Sequence, residues 1–312
     1  MLMICGEALL DVFQGEPTRT GMTLDANVGG SPFNLAVGLA RLGQPAAFFS
    51  AVSTGFAGER LMRALTDEGV DTRAVVRNDA PTTLSLIGLD AHGVPSYAFY
   101  GEGCADRLVH ADDVARVPTE VALVNVGSYA SVVEPVATAQ RALIARERAR
   151  GEAGALIAFD PNIRLNVEPD LARWRDQLDW MLPRTDLLKI SDEDLALLRP
   201  GESVAAFAAH ALAAGVRLVV VTRGAQGAVG TTAQVRVAVD PVPVQVVDTV
   251  GAGDTFQAAL ITWLAEHAAL TRPALSAIGP AALRDALQFA ARAAAITCSR
   301  RGADMPRRAE LG

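Results

Sequence analysis

The chain has 312 residues, half of them hydrophobic and a fifth of them charged, a composition that is typical of a globular protein and excludes intrinsic disorder. Its formal net charge of -7 argues against a general nucleic-acid-binding protein, which needs a basic face, although a local nucleotide pocket remains compatible with it. The only lysine is Lys189 and no Gly-Lys pair exists, which excludes a Walker A loop and restricts any Schiff-base chemistry to Lys189.

Cysteine and histidine usage indicates neither a disulfide framework nor a zinc site. Cys5, Cys104 and Cys298 are far apart, and the four histidines are scattered. Gly6-Glu7 interrupts the first apolar run and no basic segment precedes it, so we expect no signal peptide. No apolar segment approaches the length of a membrane span. We therefore expect a cytoplasmic protein without a membrane partner.

The first part of the chain predicts strands and helices in alternation, interrupted by one polar stretch. Pro32 suits the first turn of a helix, and Gly69 suits the end of another. The predicted elements are a buried strand at Leu2–Cys5, a small outlying hairpin within 13–28, a helix from Pro32 to about Leu42, a strand at Ala46–Val52 and a helix over roughly 59–68.

Residues 81–100 differ from their surroundings because polar and apolar residues alternate. Thr82 to Asp90 has a period of two, His92-Gly93 suits a turn, and Tyr97 to Tyr100 returns. This pattern predicts a hairpin. We expect residues 81–101 and 13–28 to form a small β-sheet lid outside the main core of one domain that spans 1–312.

From residue 121 onward, short apolar runs alternate with helical stretches. The predicted strands are Val121–Val126, Leu156–Asp160, Leu187–Ser191, Leu218–Thr222, and an antiparallel pair at Val235–Val239 and Val242–Val247. A final helix is predicted over roughly 282–298. Buried strands that alternate with helices predict an α/β fold with a mostly parallel sheet covered by helices on both faces.

In such a fold, ligands bind in the crevice outside the carboxyl ends of the strands. Polar residues that follow predicted strands are therefore the candidates for a binding site. They are Asp11, Asp160 to Arg164, Lys189 to Asp194, Thr222 to Gly224, and Asp248 to Asp254.

The stretch from Val246 to Phe256 predicts an anion site at the start of a helix. Gly251-Ala252-Gly253 lies where the first helical N–H groups lack partners, and the absence of bulky side chains lets a phosphate approach them. Asp254 then stands beside the anion as a candidate general base. Two alternatives are an ordinary carboxylate in a first helical turn and a dinucleotide fingerprint, although Phe256 occupies the place of the third glycine.

Asp11, Gly30 and Asn34 are candidates for binding a polyol, since Asp and Asn form directional hydrogen bonds with hydroxyls and glycine permits close backbone approach. Arg164 is a candidate for binding a phosphate. The acidic segment Ser191 to Asp194 is a candidate for binding Mg²⁺. Each also has a structural alternative, as a turn residue, a helix-start residue, an exposed surface residue or an acidic helix N-terminus.

Taken together, ordered motifs along nearly the whole chain resemble a known family. They are Gly6-Glu7 with Asp11, Gly29-Gly30-Ser31-Pro32-Phe33-Asn34 with Ala40-Arg41-Leu42-Gly43, Asp160-Pro161-Asn162-Ile163-Arg164, Thr222-Arg223-Gly224-Ala225-Gln226-Gly227, Asp248-Thr249-Val250-Gly251-Ala252-Gly253-Asp254-Thr255-Phe256, and Arg301-Gly302-Ala303-Asp304. The chain thus resembles the PfkB, or ribokinase-like, carbohydrate kinases.

The resemblance implies a three-layer α/β domain with a small β lid and ATP-dependent phosphorylation of a sugar hydroxyl with Mg²⁺. It implies that Asp254 is the base and that the backbone N–H groups of Gly251, Ala252 and Gly253 form the anion hole. The other implied residues are Asp11, Gly30 and Asn34 for the sugar, Thr222, Gly224, Gly227 and Lys189 for the nucleotide, and Asp248, the Val250 carbonyl and carbonyls near Thr297 to Gly302 for a monovalent cation such as K⁺.

Two segments depart from the family pattern. Many members have Asn-x-x-Glu where this chain has Ser191-Asp192-Glu193-Asp194, so Mg²⁺ binding through Asp194 uses a shorter carboxylate. The usual Gly-x-Asp-x-x-Gly is altered to Ser53-Thr54-Gly55-Phe56-Ala57-Gly58.

Within the family, Gly29 to Asn34, Pro81-Thr82-Thr83 and the segment 100–107 look most like bacterial fructokinases. A 2-keto-3-deoxygluconate kinase is the alternative, in which Arg107 and Arg164 bind the substrate carboxylate. A non-catalytic sugar- or nucleotide-binding protein on the same fold also remains open. The resemblance further suggests a homodimer that pairs through the lid.

Overall fold

The computed structural model describes residues 1–89 and 95–312 of the chain. Its strands are β1 Leu2–Cys5, β2 Leu9–Pro17, β3 Met22–Gly29, β4 Ala46–Phe49, β5 Ala51–Ser53, β6 Val76–Asn78, β7 Leu84–Leu89, β8 Pro95–Tyr100, β9 Leu123–Gly127, β10 Leu156–Asp160, β11 Leu187–Ser191, β12 Leu218–Thr222, β13 Ala228–Thr231 and β14 Arg236–Val239. Its α-helices are α1 Ser31–Arg41, α2 Phe56–Asp67, α3 Val136–Ala149, α4 Leu171–Met181, α5 Asp192–Leu198, α6 Val204–Ala214, α7 Ala252–Glu266, α8 Arg272–Ser276 and α9 Pro280–Cys298.

The main sheet has the order β14-β13-β12-β11-β10-β9-β1-β4 within those described residues. The strands from β12 to β4 are parallel to one another, and β13 and β14 are antiparallel additions at one edge. This architecture confirms the predicted α/β fold with a mostly parallel sheet. Since the parallel strands all end at the same edge, residues that follow them in the sequence converge there.

Alternating side chains of the main sheet belong to two separate hydrophobic cores. In β1, Leu2 and Ile4 pack into the core formed with α1, α2, α7, α8 and α9, whereas Met3 and Cys5 pack into the core formed with α3, α4, α5 and α6. The same alternation recurs in β10 and β12. Because successive strand residues point to opposite faces, a sheet that buries both must be covered by helices on both sides. The result is three layers.

A second sheet, which we call the small sheet, has the order β3-β2-β7-β8 among the described residues. β2 and β3 form an antiparallel hairpin, β2 pairs with β7 in parallel, and β7 pairs with β8 in antiparallel fashion. These strands include the two stretches in which the sequence predicts a separate sheet. The predicted turn at His92-Gly93 lies outside the described residues.

Two sequence predictions about strands were wrong. Ala46–Val52 is two strands in different sheets, since β4 lies in the main sheet and β5 pairs with β6. Val242–Val247 forms no strand, and β14 pairs instead with β13. Pro241 and Pro243 lack the N–H that a ladder requires, and most of this segment is exposed, so neither hydrogen bonding nor burial stabilises a strand there.

Among the helices that the structure describes, none combines the length and the apolar character needed to cross a membrane.

Candidate active site

A cavity of about 470 Å³ lies at the carboxyl ends of the parallel strands. The small sheet contributes Asp11 and Phe99 to its wall, and the main domain contributes Glu7, Lys189 and Asp254. A cavity of this size matches those that enclose small-molecule ligands. The two sheets thus enclose one candidate site between them.

Asp254 lies in the first turn of α7 and lines this cavity. Gly251 caps the helix with φ of 77°, in the left-handed region that glycine adopts without strain. The Asp254 carboxylate is 8% exposed and accepts two hydrogen bonds, from Ser31 Oγ to Oδ1 at 2.6 Å and from Asn34 Nδ2 to Oδ2 at 2.9 Å. Burial raises the pKa of Asp254, and these two donors oppose that rise. A buried carboxylate with a raised pKa suits a general base.

Gly251 and Gly253 line the cavity beside Asp254, at the N-terminus of α7. The N–H of Ala252 donates instead to the Thr249 carbonyl at 3.2 Å. An added Cβ on Gly253 would lie 3.1 Å from Lys189 Nζ, so the ammonium group lies directly against this helix end. The positive end of a helix and an adjacent ammonium together suit an anion.

The predicted polyol residues Asp11, Gly30 and Asn34 line the same cavity as Asp254, and so does Arg164. Burial raises the pKa of Asp11, and Ser85 and Arg164 oppose that rise. Gly30 has φ of 104° and an added Cβ there would lie 2.9 Å from the Glu7 carbonyl oxygen, so only glycine fits.

Arg107 is not among the described residues that line the cavity. Its guanidinium carbon lies 5.6 Å from the centroids of both the Phe99 and the Tyr129 rings. These rings do line the cavity, so Arg107 packs against aromatic residues of the wall. Arg164 is therefore the arginine that reaches the candidate sugar site.

Lys189 forms an ion pair with Asp160, with Nζ 2.7 Å from Oδ2, and both residues are almost fully buried. Burial alone would lower the pKa of Lys189, but the carboxylates of Asp160, Asp254 and Asp194, with Asp160 foremost, outweigh burial and the pKa is raised. The single lysine of the chain therefore keeps its charge beside Asp254.

The acidic segment forms the start of α5, whose N-cap is Ser191. Its hydroxyl oxygen accepts a hydrogen bond from the Asp194 N–H at 3.0 Å. Burial, followed by the nearby Asp160 carboxylate, raises the pKa of Asp194 to about 6. Asp160 Oδ1 is buried and accepts no hydrogen bond from the described residues. Two neighbouring carboxylates fit Mg²⁺, which takes one or two of them together with substrate phosphates.

The predicted nucleotide segment follows β12, one strand away from Lys189. Arg223 N donates to the Gly227 carbonyl at 2.8 Å and closes a tight loop around Gly224. Thr222, Gly224 and Gly227 are outside the described lining of the cavity. They lie at the same edge of the sheet as the cavity because β11 and β12 are parallel.

Asp248 connects two loops near the start of α7. Its Oδ1 accepts from the Val250 N–H at 3.0 Å and its Oδ2 accepts from the Gly302 N–H at 2.8 Å. The Cys298 carbonyl accepts from the N–H groups of Val247 and Asp248. The segments predicted to bind a monovalent cation are therefore neighbours, and a carboxylate with carbonyls is a donor set that fits such a cation.

Glu7 belongs to one of the sequence motifs but has no role predicted from the sequence. In the structure it is buried in the cavity wall. Glu7 is 1% exposed, and its Oε2 accepts no hydrogen bond from the described residues. Burial raises its pKa to about 7. The nearby Asp106 carboxylate accepts hydrogen bonds from Thr83 and Tyr129. The sequence contains no signal for this cluster because its members are far apart in the chain.

Replacement of Glu7 by Gln is expected to make stability less dependent on pH. Folded Glu7 keeps its proton up to about pH 7, whereas the unfolded chain releases it near the usual value of 4.5. Wild-type stability therefore falls across this range, and the Gln variant lacks that loss. The difference in free energy of unfolding should grow in favour of Glu7→Gln by up to about 3 kcal/mol from pH 4.5 to 7. Denaturant unfolding of both proteins over this pH range measures it, and a pH-independent difference would contradict it.

Comparisons with known proteins agree with this arrangement. The pattern of the pfkB family carbohydrate kinases matches residues 2–309. A fructokinase of Rhizobium leguminosarum bv. trifolii is 35% identical over 285 residues, which cover 91% of this chain and 86% of the relative. The crystal structure of a fructokinase with bound ATP from Xylella fastidiosa has 27% identity and a TM-score of 0.88, covering 99% of this chain and 96% of that chain. A fructokinase from Vibrio cholerae O395, in a fructose-, ADP- and calcium-bound form, has 27% identity and a TM-score of 0.81, covering 99% and 97%. The chain therefore belongs to the pfkB family of carbohydrate kinases.

Proposed function

We propose that this carbohydrate kinase transfers the γ-phosphoryl group of ATP to a hydroxyl of fructose and forms fructose 6-phosphate. The observation that carries the proposal is that Asp254, at the N-terminus of α7, shares one cavity with Asp11, Gly30 and Asn34. A base, an anion-binding helix end and hydroxyl-binding side chains are the parts that phosphoryl transfer to a sugar requires. The fructokinases described above, one with bound ATP and one with fructose and ADP, support the same choice.

In this mechanism, Asp254 accepts the proton of the attacking sugar hydroxyl. The hydroxyl oxygen forms a bond with the γ-phosphorus while the bond to the leaving phosphate oxygen breaks and ADP departs. The backbone N–H groups of Gly251 and Gly253 stabilise the negative charge on the transferred group, as does Lys189, whereas the Ala252 N–H already donates to the Thr249 carbonyl. Asp11, Gly30 and Asn34 hold the sugar so that its hydroxyl faces both Asp254 and the phosphorus.

Thr222, Gly224 and Gly227 bind the nucleotide, with its phosphates directed toward Lys189 and the anion hole. Mg²⁺, when bound with ATP, neutralises charge on its phosphates. Asp194 is the residue that would hold it, despite its shorter arm than the glutamate of many relatives. Asp248 and the Val250 carbonyl would hold a monovalent cation such as K⁺ at the start of α7.

The charge of the cavity favours a neutral sugar over a sugar acid. Asp11 and Asp254 line the cavity, and Arg164 is the one arginine in its described lining. Because Arg107 packs against the wall instead, the pair of arginines that would bind a substrate carboxylate is incomplete, and Lys189, the other cation in the described lining, is paired with Asp160. A 2-keto-3-deoxygluconate kinase is therefore the second candidate. A non-catalytic binding protein is disfavoured because the Asp254 carboxylate is intact and is held by Ser31 and Asn34.

Measuring ADP release with fructose, 2-keto-3-deoxygluconate, ribose and adenosine tests the proposal. We expect the highest kcat/KM with fructose and a much lower value with the sugar acid. Preference for 2-keto-3-deoxygluconate would replace fructose by the second candidate. Turnover with none of the four would contradict the kinase assignment.

The chain would act as one domain whose small sheet covers the sugar site as a lid. Met22 and Leu24 of β3 and Tyr100 of β8 are more than half exposed, which supports pairing of two chains through the small sheet. Sedimentation of wild type and of Leu24→Lys tests the pairing, and a monomeric wild type would contradict it.

A further inference from the structure

Three side chains that are far apart in the sequence form a hydrogen-bonded chain that ends on Asp254. Asn162 Nδ2 donates to Ser31 Oγ at 2.6 Å, and Ser31 Oγ donates to Asp254 Oδ1 at 2.6 Å. Asn162 lies in the loop after β10, Ser31 begins α1, and Asp254 lies in the first turn of α7. This hydrogen-bonded chain therefore connects three of the segments that line the candidate site.

The direction of this hydrogen-bonded chain follows from the groups involved. An amide nitrogen only donates, so Ser31 Oγ accepts from Asn162 through one lone pair and directs its single proton to Asp254. Asn34 holds the other oxygen of the same carboxylate. With a donor on each oxygen, the plane of the Asp254 carboxylate is fixed, and each oxygen keeps a lone pair that can accept a substrate proton.

The backbone conformation at Asn162 sets the direction of its side chain. Asn162 has φ of 41°, in the left-handed region that most residues avoid and that Asn tolerates better than others. Such conformations persist where the surrounding structure demands them, and they cluster at functional sites. Here the turn directs the amide toward Ser31, and Pro161 precedes it.

We propose that Ser31 and Asn162 are positioning residues that orient Asp254 toward the acceptor hydroxyl and hold it in the ionised form. This proposal rests on the proposed function, since it requires Asp254 to be the base. The charged groups that face Asp254 are Lys189 from β11, Arg164 from the loop after β10 and Asp11 from β2. Ser31 acts in the same direction as the two cations, because a donor to a carboxylate favours the charged form.

The test compares four variants with wild type: Ser31→Ala, Ser31→Thr, Asn162→Gly and the double variant Ser31→Ala/Asn162→Gly. Asn162→Gly removes the amide but keeps a residue that adopts a left-handed backbone, so it separates the hydrogen bond from the turn. Ser31→Thr keeps the hydroxyl. The readouts are kcat, the KM for fructose, and the pH dependence of kcat/KM.

We expect Ser31→Ala to lower kcat about tenfold, the usual effect of losing a hydrogen bond to a charged group, with little change in KM. The acidic limb of the pH profile should move to higher pH, because the pKa of Asp254 rises when the donor is lost. Asn162→Gly should also lower kcat and move the acidic limb to higher pH. Ser31→Thr, which keeps the hydroxyl, should retain the wild-type kcat and pH profile. The double variant should be no worse than Ser31→Ala, since Asn162 acts through Ser31.

Wild-type kcat and an unchanged pH profile in both Ser31→Ala and Asn162→Gly would overturn the proposal, as would a double variant whose fold loss in kcat is the product of the losses in those two single variants. Asp254→Asn, measured alongside, separates the two levels of inference. If that variant keeps wild-type turnover, the proposed base is wrong. If it is inactive while Ser31→Ala and Asn162→Gly behave as wild type, only the positioning role fails.

Discussion

Replacement of Asp254 by Asn is expected to lower kcat by about 10²–10⁴-fold while fructose binding persists. The amide cannot accept the proton of the sugar hydroxyl, but it has nearly the same shape as the carboxylate that lines the cavity. Asp254 is 8% exposed, and each of its carboxylate oxygens accepts a hydrogen bond from a side chain. Bulk water therefore does not readily reach this position to act as the base in its place. A coupled ADP-release assay measures the loss, and calorimetric titration with fructose measures the binding.

Asp285→Asn is the matched control, because Asp285 is exposed on α9, outside the lining of the cavity among the described residues. It should keep the turnover of wild type. Substantial activity in Asp254→Asn would assign proton removal to another group. Loss of fructose binding together with activity would indicate that Asp254 contributes mainly to the sugar site.

Replacement of Gly253 by Ala is expected to lower kcat by about 10²-fold or more without lowering stability. Gly253 lines the cavity, and its added methyl group would lie 3.1 Å from Lys189 Nζ, in the space where the proposed mechanism places the transferred phosphoryl group. Loss of one donor to a transition-state anion typically costs 10²–10³ in kcat, and displacement of the anion from these amides should have a similar effect. Ala favours the helical backbone over Gly, so the melting temperature should not fall.

Gly279→Ala is a suitable control for this substitution. Gly279 caps α9 with φ of -80°, and an added Cβ there contacts nothing within 4 Å. Its activity should equal that of wild type in the same assay. Full activity of Gly253→Ala would mean that the phosphoryl group does not approach the N-terminus of α7 during transfer.

The main sheet was largely predictable because its strands are short, buried and apolar. The predicted bounds of β10, β11 and β12 agree with the structure, and β1 does as well. β10 and β12 are runs of hydrophobic residues that end at a polar residue, and β1 and β11 are likewise short and mostly apolar, which is a local property of the chain. The prediction failed at Val242–Val247 because β-branched residues favour a strand only where a partner and burial are available.

The sequence by itself thus determined the family, the α/β fold and the motifs of the candidate site, because strand and helix periodicity and the Gly-rich start of α7 are properties of neighbouring residues. Only the tertiary structure decided that Glu7 is buried in the cavity wall, that Arg107 packs against Phe99 and Tyr129, and that Lys189 pairs with Asp160. It alone joined Asn162 and Ser31 to Asp254, residues separated by up to 223 positions. The physical reason is that hydrogen bonds and ion pairs between distant segments depend on how strands and helices pack, whereas periodicity reports on each segment separately.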